Sequence, residues 1–470
     1  MVTKLQAVID ELKGRSDRPR TFAIVTYGCQ MNTRDGETMA GILRACGLEK
    51  AARDSAEFLL YNTCCVRDNA ERRARGNILW ALHRKRSAPR LLIGVCGCMA
   101  QESGGEDEAR RMFPGADIVF GTHNLQLLPE YLLRAMDERE PVTAIWEQAG
   151  SDEDAGDYGE FNEIAAIRPQ RHKSFVIAMR GCDNFCSYCI VPYVRGRERS
   201  REPDEILREV EGLLADGVQE IMLLGQNINS YGRGLSNLSS GSSVQTFARI
   251  LRRVAELGVP RIRFMTSHPK DLSDELIDAM ASIKAVCNHI HLPVQSGSNR
   301  ILQLMNRCYN RERYLERVSS LRKAIPEVGI TTDLIVGFPG ETEADFLETL
   351  SLVDEVGFDA AYTFVYSPRA GTRAAELPDR LPEAVSRERI LRLIATQEAQ
   401  TAKVLNGLVG TRQIVLADES ARRNSAELSG KIERGIAVSF PGGAGLIGQF
   451  LPIRITSAGH NTLRGVIEME

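Results

Sequence analysis

Cys182, Cys186 and Cys189 stand in the run Arg180-Gly-Cys-Asp-Asn-Phe-Cys-Ser-Tyr-Cys, with the spacing C-x3-C-x2-C. Structural zinc sites and ordinary ferredoxin clusters take four protein ligands. Here three thiols lie close together, and no fourth cysteine follows within twenty residues. A cubane iron–sulfur cluster held by three thiolates keeps one iron open, as a catalytic zinc keeps an open position. An open iron binds a substrate or a cofactor. The other reading of the run is three buried or zinc-binding cysteines.

A second set of three is scattered. Cys29, Cys64 and Cys98 each follow an apolar run: Phe22-Ala-Ile-Val into Tyr27-Gly-Cys, Phe58-Leu-Leu-Tyr into Asn62-Thr-Cys, and Leu91-Leu-Ile-Gly-Val into Cys96-Gly-Cys. If the runs are neighbouring parallel strands, their ends share the sheet edge where ligands bind. Three thiolates then converge, again describing a cluster with one open iron. Buried cysteine is common at strand ends, so a core role stays open. Cys65 follows Cys64 directly. Adjacent strand residues face opposite ways, so only one of the two is expected to face the cluster, and spacing does not choose between them. Cys46, Cys65, Cys96, Cys287 and Cys308 read as structural or incidental.

These cysteines need elements to position them. At 470 residues the chain calls for several domains. Apolar residues make up 43% and charged residues 26%, with a net charge of −3. Nothing global announces a polyanionic partner. Eleven clustered cysteines argue for metal ligation in a reducing, cytoplasmic compartment and against a disulfide framework. The first twenty residues lack the apolar core of a signal peptide and read as a polar helix or loose extension. No stretch reaches the length of a membrane span.

Helical patterns at Thr33–Cys46 and Asn69–His83 alternate with the three cysteine-bearing runs, predicting a small parallel α/β domain. Glu147–Glu163 carries seven acids and no basic residue, which reads as an exposed linker. Six strands follow, near Phe175–Met179, Glu220–Gly225, Arg261–Thr266, His289–Val294, Ile330–Val336 and Ala360–Tyr366. Helices are expected to begin near Pro203, Ser243, Ser273, Asn299, Glu343 and Pro382. This predicts an incomplete (β/α)6 barrel, with chemistry at the C-terminal ends of its strands. Short β-type runs at Gln413-Ile-Val-Leu, Lys431-Ile-Glu, Ile436–Phe440, Phe450–Ile455 and Leu463–Ile467 predict a small β-barrel. The expected boundaries are 1–20 extension, 21–145 first domain, 146–167 linker, 168–400 partial barrel and 401–470 β-barrel.

With these motifs the chain from about residue 21 to its end resembles the methylthiotransferases of the radical S-adenosylmethionine (SAM) superfamily. The resemblance rests on Thr26-Tyr-Gly-Cys-Gln-Met-Asn, Asn62-Thr-Cys, Gly97-Cys-Met-Ala-Gln, the C-x3-C-x2-C run, Val191-Pro-Tyr-Val-Arg-Gly-Arg-Glu-Arg-Ser-Arg, Leu224-Gly-Gln-Asn, His291-Leu-Pro-Val-Gln-Ser-Gly-Ser and Asp333-Leu-Ile-Val-Gly-Phe-Pro-Gly-Glu. Gly28-Cys-Gln-Met-Asn and Cys-Asp-Asn-Phe-Cys are similar to the branch acting on isopentenylated adenosine in tRNA. They are less similar to the branches acting on ribosomal protein or on threonylcarbamoyladenosine in tRNA. Arg369-Ala-Gly-Thr-Arg departs from the usual Arg-Pro-Gly-Thr-Pro, which concerns only a loop conformation.

The resemblance implies two 4Fe–4S clusters, a radical SAM cluster on Cys182, Cys186 and Cys189 and an auxiliary one on Cys29, Cys64 and Cys98, so that Cys64 rather than Cys65 is the ligand. It implies methylthiolation at C2 of N6-isopentenyladenosine at position 37 of tRNA. One SAM yields the 5′-deoxyadenosyl radical and another gives the methyl group. It places SAM at Gly225, Gln226 and Asn227, at Gln295 and Ser296, and at Asp333 and Gly337. It makes residues 401–470 a TRAM-like RNA-binding barrel. A low-potential electron donor such as flavodoxin and a monomeric state are also expected. Residues 168–201 carry eight Lys/Arg against two acids, so Arg195, Arg197, Arg199 and Arg201 are expected to meet phosphates. The rival classes are the other methylthiotransferase branches and a non-catalytic RNA-binding protein stabilised by zinc.

Overall fold

The three cysteine-bearing runs form the middle of a six-stranded, wholly parallel sheet. Its strands are β1 Thr21–Thr26, β2 Glu49–Lys50, β3 Phe58–Thr63, β4 Leu92–Gly97, β5 Ile118–Phe120 and β6 Val142–Ala144, ordered β2-β1-β3-β4-β5-β6. β2, β5 and β6 are only two or three residues long, too short to show a period in sequence. Every residue of β3 is buried, as expected for a parallel strand covered on both faces. Phe58 and Leu60 pack with Phe22, Met39 and Phe120. Leu59 and Tyr61 face the other way, toward Ile78, Ile93 and Val95. The N-terminal segment is the helix Val2–Gly14, whose Ile9 and Leu12 are buried in the Phe58 core.

This computed structural model describes residues 2–66, 68–137, 140–146, 166–235, 245–421 and 424–468. The acidic stretch Glu147–Glu163 and the expected helix start at Ser243 lie outside them. The chain forms two compact units. The first comprises Met1–Pro169, Arg180–Asp183 and Ile190–Arg201; the second comprises Gln170–Met179, Asn184–Cys189 and Glu202–Glu470.

In the second unit the six expected strands are present: β7 Lys173–Ile177, β8 Glu220–Leu224, β9 Arg261–Phe264, β10 His289–His291, β11 Gly329–Val336 and β12 Ala360–Val365. They pair in parallel as β9-β8-β7 and β10-β11-β12. One core from Val176 to Leu393 runs behind both sheets, giving the incomplete barrel. Ser273 and Thr342 cap helices as their spacing predicts, with Thr342 and Asp345 closing a capping box. The single helix expected from Asn299 is two, Asn299–Leu304 and Arg311–Ala324. Between them Asn306 and Cys308 have φ of 58° and 55°, left-handed conformations that end a helix. The Arg369-Ala-Gly-Thr turn is closed by Thr372, whose hydroxyl donates to the Arg369 carbonyl at 2.7 Å.

The C-terminal strands are β13 Arg412–Ala421, β14 Asn424–Lys431, β15 Ala437–Pro441, β16 Phe450–Ala458 and β17 Thr462–Ile467. They close a barrel in the order β13-β14-β15-β17-β16. The strand expected to start at Lys431 instead ends there, and Ile432–Gly435 is the turn that follows, closed by Gly435 N–H on the Ile432 carbonyl. This barrel packs within the second unit through two cations, the buried Arg263 and the half-buried Arg434. Arg263 donates to Glu220 at 2.9 Å and to the carbonyls of Ile432 and Glu433 at 2.8 and 2.9 Å. Arg434 forks onto Asp359 at 2.6 and 2.8 Å. Removing one partner of a buried pair leaves a charge uncompensated. Arg263→Ala is therefore expected to cost about 3 kcal/mol, read as a lower thermal midpoint of the full-length protein. An unchanged midpoint would show that Arg263 does not clamp the barrel.

Candidate functional site

The order β2-β1-β3 reverses direction at β1, and ligands of open parallel sheets sit beyond the strand ends at such a switch. Cys64 and Cys98 immediately follow β3 and β4, and Cys29 lies three residues beyond β1. Asn32 ties these loops together. Its Nδ2 donates to the carbonyls of Tyr27 at 3.0 Å and Thr63 at 2.8 Å, just before Cys29 and Cys64. With the amide so oriented, Oδ1 accepts from the thiols of Cys29 at 3.6 Å and Cys98 at 4.0 Å. Gly28, at φ 108°, approaches Cys64 so closely that a Cβ would lie 2.7 Å from its sulfur. The three sequence-predicted thiols therefore converge.

Their protonation equilibria register one another. Cys64 is pushed up to about 12 by burial and by the charges of Cys98 and Cys29. Burial also raises Cys29, against the pull of Arg195. Cys98 comes down to about 6, because the Cys65 thiol donates to it and the Arg195 cation is near, against burial. Cys65 thus reaches the same pocket, contrary to the expectation that only one of the pair would. Strand β3 ends at Thr63, so the alternation of faces does not extend to Cys64 and Cys65. Among the described residues no three Cys, His, Asp or Glu side chains are gathered to share a single metal ion. A cubane asks for a wider set, because its thiolates bind separate irons. Two thiols on one buried amide with a third close beside them, and a nearby cation to offset their charge, fit that group.

Arg195, expected to meet phosphate, is instead buried, 6% exposed. It donates to Asp35 at 2.6 Å and to Asn32 Oδ1 at 2.7 Å. Arg197 is exposed and pairs with Asp183 at 2.9 Å; Arg199 and Arg201 are half-buried.

In the second unit, Cys186 accepts an N–H from Arg307 at 3.3 Å. Arg307 is fully enclosed. It also donates to the Pro293 carbonyl at 2.7 Å and to the Tyr309 hydroxyl at 2.9 Å. The backbone around Cys186 is clasped by the bend between the two split helices. Ser187 N–H donates to Met305 O at 3.0 Å, its hydroxyl to Leu304 O at 2.8 Å, and Asn306 Nδ2 to Phe185 O at 3.0 Å. Sequence reasoning missed this clasp because it merged the two helices. The asparagines at 306 and 310 were the available signal of a break.

Except for Asp333, which lies inside β11, the expected SAM residues follow strand ends of this unit. Gly225 follows β8, and a Cβ there would stand 2.6 Å from Met179 Cγ. Gln226 is half-buried, and Asn227 donates to Asp271 at 2.9 Å. Gln295 has φ 74° and exchanges backbone hydrogen bonds with Asp333 and Ile335. Such strain in a non-glycine residue concentrates at functional sites. The Ser296 hydroxyl is fully buried, near Thr349 at 3.3 Å, and accepts the Ser298 N–H. Asp333 stands 3.6 Å from His291. Gly337, at φ 72°, leaves room for Ser386, whose Oγ would be 2.4 Å from a Cβ. Two further residues at the end of β9 were not anticipated. Ser267 Oγ and His268 Nε2 are buried without a protein hydrogen-bond partner among the described residues. His268 meets the Tyr309 ring edge-on at 5.6 Å, and the preceding Thr266 is held at φ 70°. Orphaned polar atoms next to the Arg307–Cys186 contact suit a polar ligand such as SAM.

Among the described residues no helix is long and apolar enough to cross a membrane. Residues 176–353 match the Radical SAM superfamily, 21–121 the Uncharacterized protein family UPF0004, and 408–467 the TRAM domain. The chain is 46% identical over 455 residues to the tRNA-2-methylthio-N(6)-dimethylallyladenosine synthase of Syntrophomonas wolfei, covering 96% of this chain and 99% of the relative. It is 45% identical over 448 residues to that of Moorella thermoacetica, covering 95% and 98%. Among solved structures it resembles the radical S-adenosylmethionine methyltransferase TsrM from Kitasatospora setae, with a TM-score of 0.53, 14% identity, and coverage of 76% of this chain and 74% of that one. That last likeness is one of fold.

Proposed function

Because the chain belongs to the family of the tRNA-2-methylthio-N(6)-dimethylallyladenosine synthases, we propose that it adds a methylthio group to C2 of N6-isopentenyladenosine at position 37 of tRNA, beside the anticodon. The observation that carries this reading is near-full-length identity to those relatives in a chain holding two separate three-cysteine sets. The C2–H bond is not acidic enough for a side-chain base. The hard chemistry would belong to the bound groups: on receiving one electron, SAM at one 4Fe–4S cluster would supply hydrogen-atom abstraction, and a second cluster with a second SAM would supply the methylthio group.

The protein's part is holding and orienting. Cys182, Cys186 and Cys189 would hold the first cluster, and Cys29, Cys64 and Cys98 the second. Arg307 steers Cys186 and places a cation beside its sulfur. Gly225, Gln226, Asn227, Gln295, Ser296, Asp333 and Gly337 border the SAM site. Arg197, Arg199 and Arg201 position tRNA phosphates, and the C-terminal barrel adds RNA contacts. The target base leaves its stack to reach the site, which a single-stranded anticodon loop makes easy. A low-potential donor such as flavodoxin supplies the electron to a monomeric enzyme in the cytoplasm.

Arg307→Ala is expected to cut 5′-deoxyadenosine formation about tenfold or more, the equivalent of one charge-assisted hydrogen bond. Undiminished formation would make Arg307 merely structural. The reaction itself is tested anaerobically with reconstituted protein, SAM, a reductant and isopentenylated tRNA, digesting the product for mass spectrometry. Methylthio-isopentenyladenosine is the expected new nucleoside. Deoxyadenosine without it would reject this acceptor.

A further inference from the structure

Arg195 is a cation buried where the auxiliary thiols meet, and nothing in the proposed reaction uses it. Its side chain is 5% exposed, and so is that of Asp35. Burying a charge is costly unless the site supplies compensating charge and hydrogen bonds. Asp35 supplies part of this. It accepts from Arg195 at 2.6 Å and from Arg180 at 3.1 Å. Asp35 is therefore shared between two guanidinium groups and does not serve Arg195 alone.

The second hydrogen bond of Arg195 shows where its charge is directed. Asn32 Oδ1 is the atom on which the Cys29 and Cys98 thiols also converge. Once those thiols bind iron as thiolates they no longer donate, and an amide oxygen facing two anionic sulfurs is repulsive. Arg195 then remains as the donor to Oδ1 and as the cation nearest the thiolates. Asn32 cannot turn its amide round, because its Nδ2 is held by two backbone carbonyls at 3.0 and 2.8 Å.

We infer that Arg195 is a positioning residue of the auxiliary cluster: it locks Asn32 between the cluster loops and balances the thiolate charge, and Asp35 sets how much positive charge the cluster meets. This rests on the reading of Cys29, Cys64 and Cys98 as cluster ligands. Removing positive charge near a cluster favours its oxidised form, and removing negative charge favours its reduced form.

The test uses the full-length protein carrying Cys182→Ala, Cys186→Ala and Cys189→Ala, reconstituted with iron and sulfide, so that only the auxiliary cluster is present. Iron is counted, and the cluster is titrated with dithionite under electron paramagnetic resonance. In this background Arg195→Gln is expected to shift the midpoint potential downward and Asp35→Asn to shift it upward. Arg195→Lys, which keeps the charge, is expected to restore most of the Arg195→Gln shift. Opposite shifts are beyond a merely structural role, in which both variants would loosen the site alike. Equal potentials in all variants, or shifts of the same sign, overturn the inference while leaving the cluster assignment standing. A parent protein that takes up no iron overturns the cluster assignment, and the inference with it.

Discussion

Cys29→Ala is expected to reduce methylthiolation to background while SAM cleavage to 5′-deoxyadenosine stays within a few-fold of the parent. Cys29 belongs to the first unit, on the loop beyond β1, and Asn32 joins it to the Cys64 and Cys98 loops. Its loss takes away one of three thiols, and a cubane with two protein ligands is poorly held. The contacts that hold Cys186 come from Arg307, Met305, Leu304 and Asn306, all within the second unit. None of them involves Cys29, and effects at sites with no shared partners are separable. The check is parallel measurement of methylthio-nucleoside and deoxyadenosine, with iron counted in the same sample. If both activities vanish while the remaining cluster is intact, the two cysteine sets do not have separate roles.

The second large effect is at the other set. Cys186→Ala is expected to abolish deoxyadenosine formation and with it all product. About four of about eight irons should remain, one cubane of the two. Cys186 is the sulfur that Arg307 contacts, so this variant also takes one partner from a buried guanidinium whose others are a carbonyl and two tyrosine hydroxyls. The variant is therefore expected to be less stable as well, by about 1–3 kcal/mol. Normal SAM cleavage in Cys186→Ala would refute the assignment of the C-x3-C-x2-C run as the radical site.

Much of the frame was legible in the chain. The cysteine run needs only local spacing, and the six barrel strands are separated by helices whose caps, Ser273 and Thr342, are written beside them. Strands of two or three residues, such as β2, β5 and β6, were not legible, because a period needs length to appear. The helix break at Asn306 was missed because left-handed residues inside an otherwise helical pattern give only a weak signal.

Arg195 shows a different limit. Arginines stand nearby at 197, 199 and 201, so a phosphate-positioning basic run was the natural reading. Its actual partners, Asn32 and Asp35, lie more than 150 residues away along the chain. Cys65 was misjudged for a related reason. The alternation rule holds only while the strand lasts, and where β3 stops is decided by its pairing with β1 and β4.

By itself, then, the sequence determined which thiols form a local trio, the alternation of strands and helices, and the resemblance to a family. Each of these depends on residues close together in the chain or on their order. Only the tertiary structure decided that three distant thiols converge beside Asn32, that Arg195 is buried against Asp35 and Asn32, and that Arg307 grips Cys186. Those are contacts between far-apart segments, set by strand register and burial, which local spacing does not encode.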